Sequence, residues 1–97
     1  MTEYAVRRPL QRAPSHPGEL MREIIEDHLG MSKTEAARRM KTSRANLYAI
    51  LGGESAVTAD MAVRFEGIGG GDPHLFLNMQ SAHDLWHAQQ RPENKVA

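Results

Sequence analysis

The residues with the clearest potential for chemistry lie in one stretch, 32–51. It carries five basic side chains against one acidic side chain, a local charge of +4: Lys33, Arg38, Arg39, Lys41 and Arg44 against Glu35. The whole chain has 12 Lys+Arg and 12 Asp+Glu, a formal net charge of zero. Because phosphate binding depends on local charge density, the placement of these cations favours nucleic acid as a ligand. An ordinary helical hairpin with a solvated basic face is the alternative.

The same stretch predicts two short helices joined by a tight turn, the geometry of a helix-turn-helix. Ser32 and Glu35 form a capping-box pattern, so we expect each side chain to bond the backbone amide of the other. Lys41-Thr42 make the turn, and Ser43 caps the second helix, which runs through Leu51. Small and apolar residues that let both helices share one core are Ala37, Met40, Leu47 and Ile50.

Three further helices are predicted around this pair. One begins at Pro17, carries an amphipathic apolar stripe and ends at Gly30. Another begins after Thr58, and its inward residues are Met61, Ala62, Phe65 and Ile68. No segment predicts a strand, so the fold class is an all-α, five-helix domain with a helix-turn-helix.

The last predicted helix, which begins at Asp72-Pro73, carries more apolar surface than one stripe. Its spacing directs four residues toward the monomer core: Leu75, Met79, Ala82 and Trp86. Phe76 and Leu77 then lie on neighbouring faces. Leftover apolar surface on a small domain indicates a partner, and a twofold homodimer is the commonest solution. A fully buried helix is the alternative.

A chain of 97 residues allows one small domain. We expect a flexible arm at 1–15, the helix-turn-helix domain at 16–90 and a polar tail at 91–97. The absence of cysteine excludes disulfides, thiolate zinc sites and cysteine nucleophiles. No apolar run approaches the ~20 residues that a membrane helix needs. With no secretory signal in the sequence either, we expect a cytoplasmic protein.

His83 and His87 are spaced i, i+4 around Asp84, which superficially resembles the zinc-protease motif. The general-base glutamate and a third ligand are both missing. We therefore expect two surface or interface histidines, no metal and no cofactor. No nucleophile–base arrangement is present, so we expect no enzyme; a small metallohydrolase at this pair is the alternative.

Five motifs, in order along the chain, carry a family resemblance. They are HPGE at 16–19, SKTEAA at 32–37, TADMA at 58–62, LNMQ at 77–80 and HDLW at 83–86. With them, residues 16–90 resemble the HigA-type (VapI-like) antitoxins of toxin–antitoxin operons, a branch of the XRE/Cro helix-turn-helix family. Lys41 stands where that family usually has glycine, and Gly67 and Gly69 stand where its fourth helix usually ends in aliphatic residues.

The resemblance implies that the third helix enters the major groove of DNA. The side chains that would face base edges are Ser43, Arg44, Ala45 and Asn46, with Tyr48 reaching the groove wall. Arg–guanine and Asn–adenine are the geometrically favoured pairs. Phosphate contacts would come from Lys33, Arg38 and Lys41.

The resemblance also implies an antitoxin that binds a RelE-like mRNA-cleaving toxin and represses its own operon. A stand-alone XRE-family repressor without a toxin is the alternative. The candidate toxin-binding surfaces are the arm 1–15, the tail after Pro92 and the outer face of the first helix: Arg22, Glu23 and Glu26. The acidic helix face is favoured, because the active site of a ribonuclease is itself usually basic.

Overall fold

The computed structural model describes residues 12–96, which form five α-helices and no strand. The helices are α1 (Pro17–Glu23), α2 (Lys33–Arg39), α3 (Arg44–Leu51), α4 (Ala59–Gly67) and α5 (Pro73–Gln90). A π-helical turn, Ile24–His28, continues α1, and a 3-10 turn, Pro92–Asn94, follows α5. The all-α, five-helix prediction is confirmed. Among the same residues, no helix is long and apolar enough to cross a membrane.

The arm predicted for 1–15 falls largely outside the described part of the chain, since residues 1–11 are not described. Its last residues are attached to the domain: the Pro14 carbonyl accepts a hydrogen bond from Nδ1 of His83, 2.8 Å away. At the other end, residues 91–96 are exposed.

Three helices begin at the residues that the sequence predicts. Ser32, Ser43 and Thr58 cap α2, α3 and α4, and each hydroxyl accepts the backbone amide three residues further on, at 3.0, 3.0 and 3.2 Å. Such caps satisfy amides that have no partner inside the helix, so the start of each helix is fixed by a local interaction.

The return bond of the predicted capping box is not formed. The Glu35 carboxylate accepts hydrogen bonds from Arg38 Nε at 3.0 Å and Arg39 Nε at 2.8 Å, one turn further along α2. Two guanidinium groups are stronger partners for a carboxylate than the one backbone amide of Ser32. Glu35 therefore ties together two of the cations that follow it.

One apolar core holds the five helices together. Its largest fully buried side chains are Phe65, Phe76, Met21, Ile25, Met40, Leu47 and Ile50. The rings of Phe65 and Phe76 pack edge to face, with centroids 5.1 Å apart, and so join α4 to α5. The predicted shared core of α2 and α3 is confirmed, and the α4 prediction holds except that Ile68 is only half-buried.

The orientation predicted for α5 is wrong. Phe76 is fully buried, whereas Leu75 is 47% exposed. Ala82 is exposed, and Met79 and Trp86 are half-buried. The stripe expected to close the core therefore lies largely at the surface of the described domain, and a neighbouring stripe faces inward.

Two contacts with residues distant in the sequence explain this orientation. Phe76 completes the ring pair with Phe65, and Gln80, one turn later, brings a carboxamide inside. Gln80 Oε1 accepts the buried amide of Val57 at 2.8 Å, and its Nε2 donates to Asp84 at 2.9 Å. An unpartnered buried amide would cost about 1–3 kcal/mol, so a polar residue is required on the inner face of α5.

His16 links the start of α1 to two other parts of the fold. Its Nδ1 accepts the Gly18 amide at 2.9 Å, and its Nε2 lies 3.0 Å from the Ser55 carbonyl. Together these bonds require a neutral ring with its proton on Nε2. Burial lowers the pKa of His16 and repulsion from His83 acts in the same direction, while the Ser55 carbonyl and Asp84 oppose them.

We expect the domain to lose stability as the pH falls below 6.5, the ordinary pKa of this side chain. The unfolded chain then takes up a proton at His16 that the folded state resists, so acid favours unfolding. His16→Asn keeps an acceptor at the N-cap and should flatten this part of the profile. Urea unfolding from about pH 7.5 to about pH 5 measures it. His28→Asn, at an exposed histidine, is the control; equal profiles for the two variants would contradict the assignment.

Candidate nucleic-acid interface

The turn between α2 and α3 contains a strained residue. Lys41 has φ +57°, the left-handed conformation that the usual glycine of this position would adopt freely. The Lys41 amide donates to the Arg38 carbonyl at 3.1 Å, and the Thr42 amide donates to Ala37 at 3.0 Å. The predicted tight turn at Lys41-Thr42 is therefore confirmed.

A side chain from another helix secures the same turn. Nη1 of Arg64, on α4, donates to the Lys41 carbonyl at 3.1 Å. The sequence gives no signal of this contact, because the two residues lie 23 positions apart and neither belongs to a pattern that pairs them. Arg64 thereby links the core-forming helix α4 to the connection that sets α3 against α2.

We expect Lys41→Gly to stabilise the domain by about 0.5–1 kcal/mol. The left-handed conformation costs a residue with a side chain about 1–2 kcal/mol, and the larger backbone entropy that glycine loses on folding offsets part of the relief. Lys41→Ala is the matched control, because it removes the charge and keeps the strain. Thermal unfolding followed by circular dichroism compares them. A glycine variant that melts below the alanine variant would show that the turn is not strained.

The first turn of α3 presents an exposed polar surface. Ser43, Arg44, Ala45 and Asn46 are all exposed, whereas Leu47 behind them is fully buried. The apolar residues of α3 anchor its later turns in the core, and the whole first turn of the helix is left exposed to solvent. Within residues 12–96, the Arg44 guanidinium makes no hydrogen bond or ion pair and is available to an external acceptor.

Asn46 and Tyr48 are exposed, but each contacts other side chains of the domain. Asn46 Nδ2 donates to Thr42 Oγ1 at 2.8 Å and to Met61 Sδ at 3.8 Å, so an adenine contact would have to replace one of these two bonds. The Tyr48 hydroxyl lies 3.5 Å from Thr34 Oγ1, and the Lys33 ammonium lies 5.6 Å from the centre of the Tyr48 ring. Tyr48 is thus associated with the beginning of α2.

The cations of this surface differ in whether a carboxylate of the domain pairs with them. Arg38 and Arg39 share the Glu35 carboxylate, and hydrogen bonds from Arg38, then Arg39, lower the pKa of Glu35 to about 2. Lys33 Nζ lies 3.8 Å from a Glu26 oxygen. Glu35 stays ionised at neutral pH and offsets part of the charge of Arg38 and Arg39. Among residues 12–96, no carboxylate forms an ion pair with Arg44 or Lys41.

The side chains of the predicted histidine pair, His83 and His87, make contacts within the domain. His83 binds Pro14, and its ring contacts those of His16 and His87 with centroids 5.3 and 4.5 Å away. In the described part of the chain, no group of three or more histidine, aspartate or glutamate side chains is placed to hold a metal ion.

Comparisons with known proteins place the chain among bacterial regulators. No protein-family model matches it. It is 37% identical to virulence-associated protein I of Dichelobacter nodosus over 77% of this chain and 69% of that protein. The structure of an addiction module antidote protein of the HigA family from Coxiella burnetii is similar at 31% identity and a TM-score of 0.74, over 89% of this chain and 98% of that one. Pseudomonas aeruginosa antitoxin HigA, solved with the higBA promoter, is similar at 25% identity and a TM-score of 0.72, over 87% and 96%.

Proposed function

Because this chain belongs to the HigA-type (VapI-like) antitoxins of the XRE/Cro helix-turn-helix family, we propose that it binds operator DNA through α3 and represses its own operon. We propose further that it neutralises a RelE-like mRNA-cleaving toxin in the cytoplasm. Its relatives are antitoxins and transcriptional regulators, so the chain is not an enzyme. The observation that supports the DNA-binding role is the exposed Arg44 at the start of α3, which has no hydrogen-bond or ion-pair partner among residues 12–96, together with a relative solved on promoter DNA.

Arg44 is the principal base-reading residue in this proposal. A guanidinium can bind guanine with two parallel hydrogen bonds, a pairing worth about 1–3 kcal/mol of discrimination. Ser43 and Ala45 flank it, and Asn46 joins by giving up its bond to Thr42 or its weaker one to Met61. The backbone contacts are proposed for Lys33, Arg38 and Lys41, of which Arg38 must divide its donors between a phosphate and Glu35.

A homodimer through α5 is the proposed assembly. The outward stripe of this helix is apolar: Leu75 (47% exposed), Met79, Ala82, Leu85 (57% exposed) and Trp86. A twofold axis beside this stripe would present two α3 helices to successive turns of the major groove, roughly 34 Å apart. Phe76 and Leu77, proposed from the sequence for the same helix, serve the monomer core.

The toxin-binding surface is proposed on the exposed acidic side of α1. Glu23 is the residue that carries it, because Glu26 lies beside Lys33 and so borders the DNA-binding surface. Charge reversal at Glu26 would disturb both activities, whereas Glu23 makes no ion pair with another residue of the described chain. Two separate surfaces allow one antitoxin to hold toxin and operator together.

Co-expression with the toxin of the neighbouring reading frame tests the two roles. Arg44→Ala should keep the cells growing and lose the operator gel shift, because it changes only the base-reading surface. Glu23→Lys should retain the shift and lose protection. Glu66→Lys, at an exposed glutamate of α4, is the matched control and should behave as the wild type. If Arg44→Ala alone stops growth at normal antitoxin levels, the two roles share one surface. If no neighbouring toxin exists, the chain acts as a stand-alone repressor.

A further inference from the structure

A notch with a volume of about 180 Å³ lies between α1, α2 and α3. It is lined by Arg22, Lys33, Tyr48, Leu51 and Gly52. Two of these five residues are cations from different helices. Arg22 was expected on the toxin-facing side of the first helix and Tyr48 among the base-reading residues, so the notch brings together residues that the sequence assigns to different tasks.

The polar groups around the notch are donors. The Lys33 ammonium lies over the Tyr48 ring, 5.6 Å from its centre, and the Tyr48 hydroxyl is 3.5 Å from Thr34 Oγ1. Arg22 is exposed and adds a guanidinium, which matches phosphate oxygens with two parallel N–H groups. The Lys33 ammonium also lies 3.8 Å from an oxygen of Glu26. An anion that enters the notch would meet two cations and a hydroxyl.

The position of the notch relative to the exposed face of α3 indicates which kind of anion it would bind. Arg44 and Tyr48 are four residues apart and share one exposed face of the helix. Leu51 and Gly52 follow by a further turn, so the notch continues the base-reading surface away from the start of α3. In a major-groove complex, the surface that flanks the base contacts meets the sugar–phosphate backbone.

We propose that this notch holds one phosphodiester of the operator backbone, bound by Arg22, Lys33 and the Tyr48 hydroxyl. Its volume is several times the roughly 30 Å³ that one water occupies in the liquid, which leaves space for a phosphate group and its remaining water. The inference rests on the proposed DNA-binding function and extends it: α1 joins the interface, and Tyr48 contacts the backbone instead of reading a base. Lys33 exchanges Glu26 for the phosphate on binding.

Salt titration of operator binding tests the inference with the full-length protein. Arg22→Gln should weaken operator and scrambled DNA by the same factor, roughly tenfold per lost phosphate contact at about 0.1 M salt. The slope of log affinity against log salt should become shallower by about 0.9 per contact. Arg91→Gln, which removes an equal exposed charge outside both the notch and the 32–51 cluster, is the matched control and should leave the slope nearly unchanged. Thermal unfolding confirms that both variants fold.

Two further arms identify the contact. Tyr48→Phe keeps the ring and should weaken all operator variants alike; a changed preference at one base pair would mean that Tyr48 reads bases and would overturn its assignment. Operators with single neutral methylphosphonates should contain one position per half-site that weakens the wild type more than it weakens Arg22→Gln, because Lys33 and Tyr48 remain in the variant. If the wild type binds its operator with steep salt dependence and Arg22→Gln matches it, the notch inference is wrong and the proposed function stands. If the wild type shows no specific binding, the proposed function itself fails.

Discussion

Replacing Gly18 by alanine is expected to destabilise the domain by about 3 kcal/mol or more, the upper end of the usual cost of overpacking. A Cβ at this position would lie 2.1 Å from the Ile50 carbonyl oxygen and 3.0 Å from Leu51 Cα. Both neighbours are backbone atoms at the end of α3, so no side-chain rotation relieves the clash. The helices α1 and α3 would have to separate, and α3 carries the residues proposed to read bases.

Thermal unfolding followed by circular dichroism measures this effect. A loss of about 3 kcal/mol corresponds to a fall in Tm of roughly 12–24 °C for a domain of this size. The matched control is Gly67→Ala in the last position of α4, where a Cβ meets nothing within 4 Å. The control should be neutral or gain up to about 1 kcal/mol from the better helix propensity of alanine. Similar melting temperatures for the two variants would mean that α1 and α3 are not in the close contact described.

The contact also explains one of the sequence motifs. Gly18 is the glycine of the HPGE motif at 16–19, and its neighbours in that motif have separate tasks. His16 caps α1 through the Gly18 amide, and Pro17 is fully buried at the first position of the helix. The motif is therefore a structural one that seats α1 against the end of α3, and it makes no contact with the exposed start of α3 itself.

Features set by local chemistry could be predicted from the sequence. The hydroxyls of Ser32, Ser43 and Thr58 define helix starts within three residues of themselves, and the structure contains all three caps. The left-handed conformation of Lys41 follows from the shortness of the turn. The family resemblance is confirmed as well by the comparisons, and three of its five motifs lie at helix starts, where few residue types fit.

Features set by contacts between distant segments could not be predicted. Two apolar stripes of α5 compete for the core, and the choice depends on Phe65 and on the buried amide of Val57, which belong to other elements. The bond from Arg64 to the Lys41 carbonyl and the notch beside Tyr48 also depend on residues that lie far apart in the sequence. Each needs the relative placement of three helices, which no periodicity encodes.

The candidate site shows the same division. The exposed face of α3 follows from the apolar spacing of Leu47 and Ile50, which must point inward. The partner of each cation does not follow from the sequence. The Glu35 carboxylate could have accepted the backbone amide of Ser32 at the helix cap, and it binds Arg38 and Arg39 instead. The uneven charge of the segment predicts this surface from the sequence, and the pairing within it could be known only from the folded arrangement.

The second large effect expected is on DNA affinity, and it is governed by salt. A dimer that makes 6–10 phosphate contacts should lose about 10³–10⁵ in affinity between about 50 and about 200 mM salt, because each contact releases condensed counterions. The whole chain has a formal net charge of zero, so this steepness can come only from the local cluster at 32–51 and its neighbours. Fluorescence anisotropy over a series of salt concentrations measures the slope.

The measurement that tests the central claim most directly is the affinity of the purified protein for DNA from upstream of its own reading frame, compared with a scrambled duplex, for the wild type and Arg44→Ala. We expect the wild type to prefer the upstream DNA at each salt concentration. Arg44→Ala should lose about 1–3 kcal/mol on that DNA and almost nothing on the scrambled duplex. Equal affinity of the wild type for both duplexes, with a flat dependence on salt, would contradict the claim that α3 reads an operator.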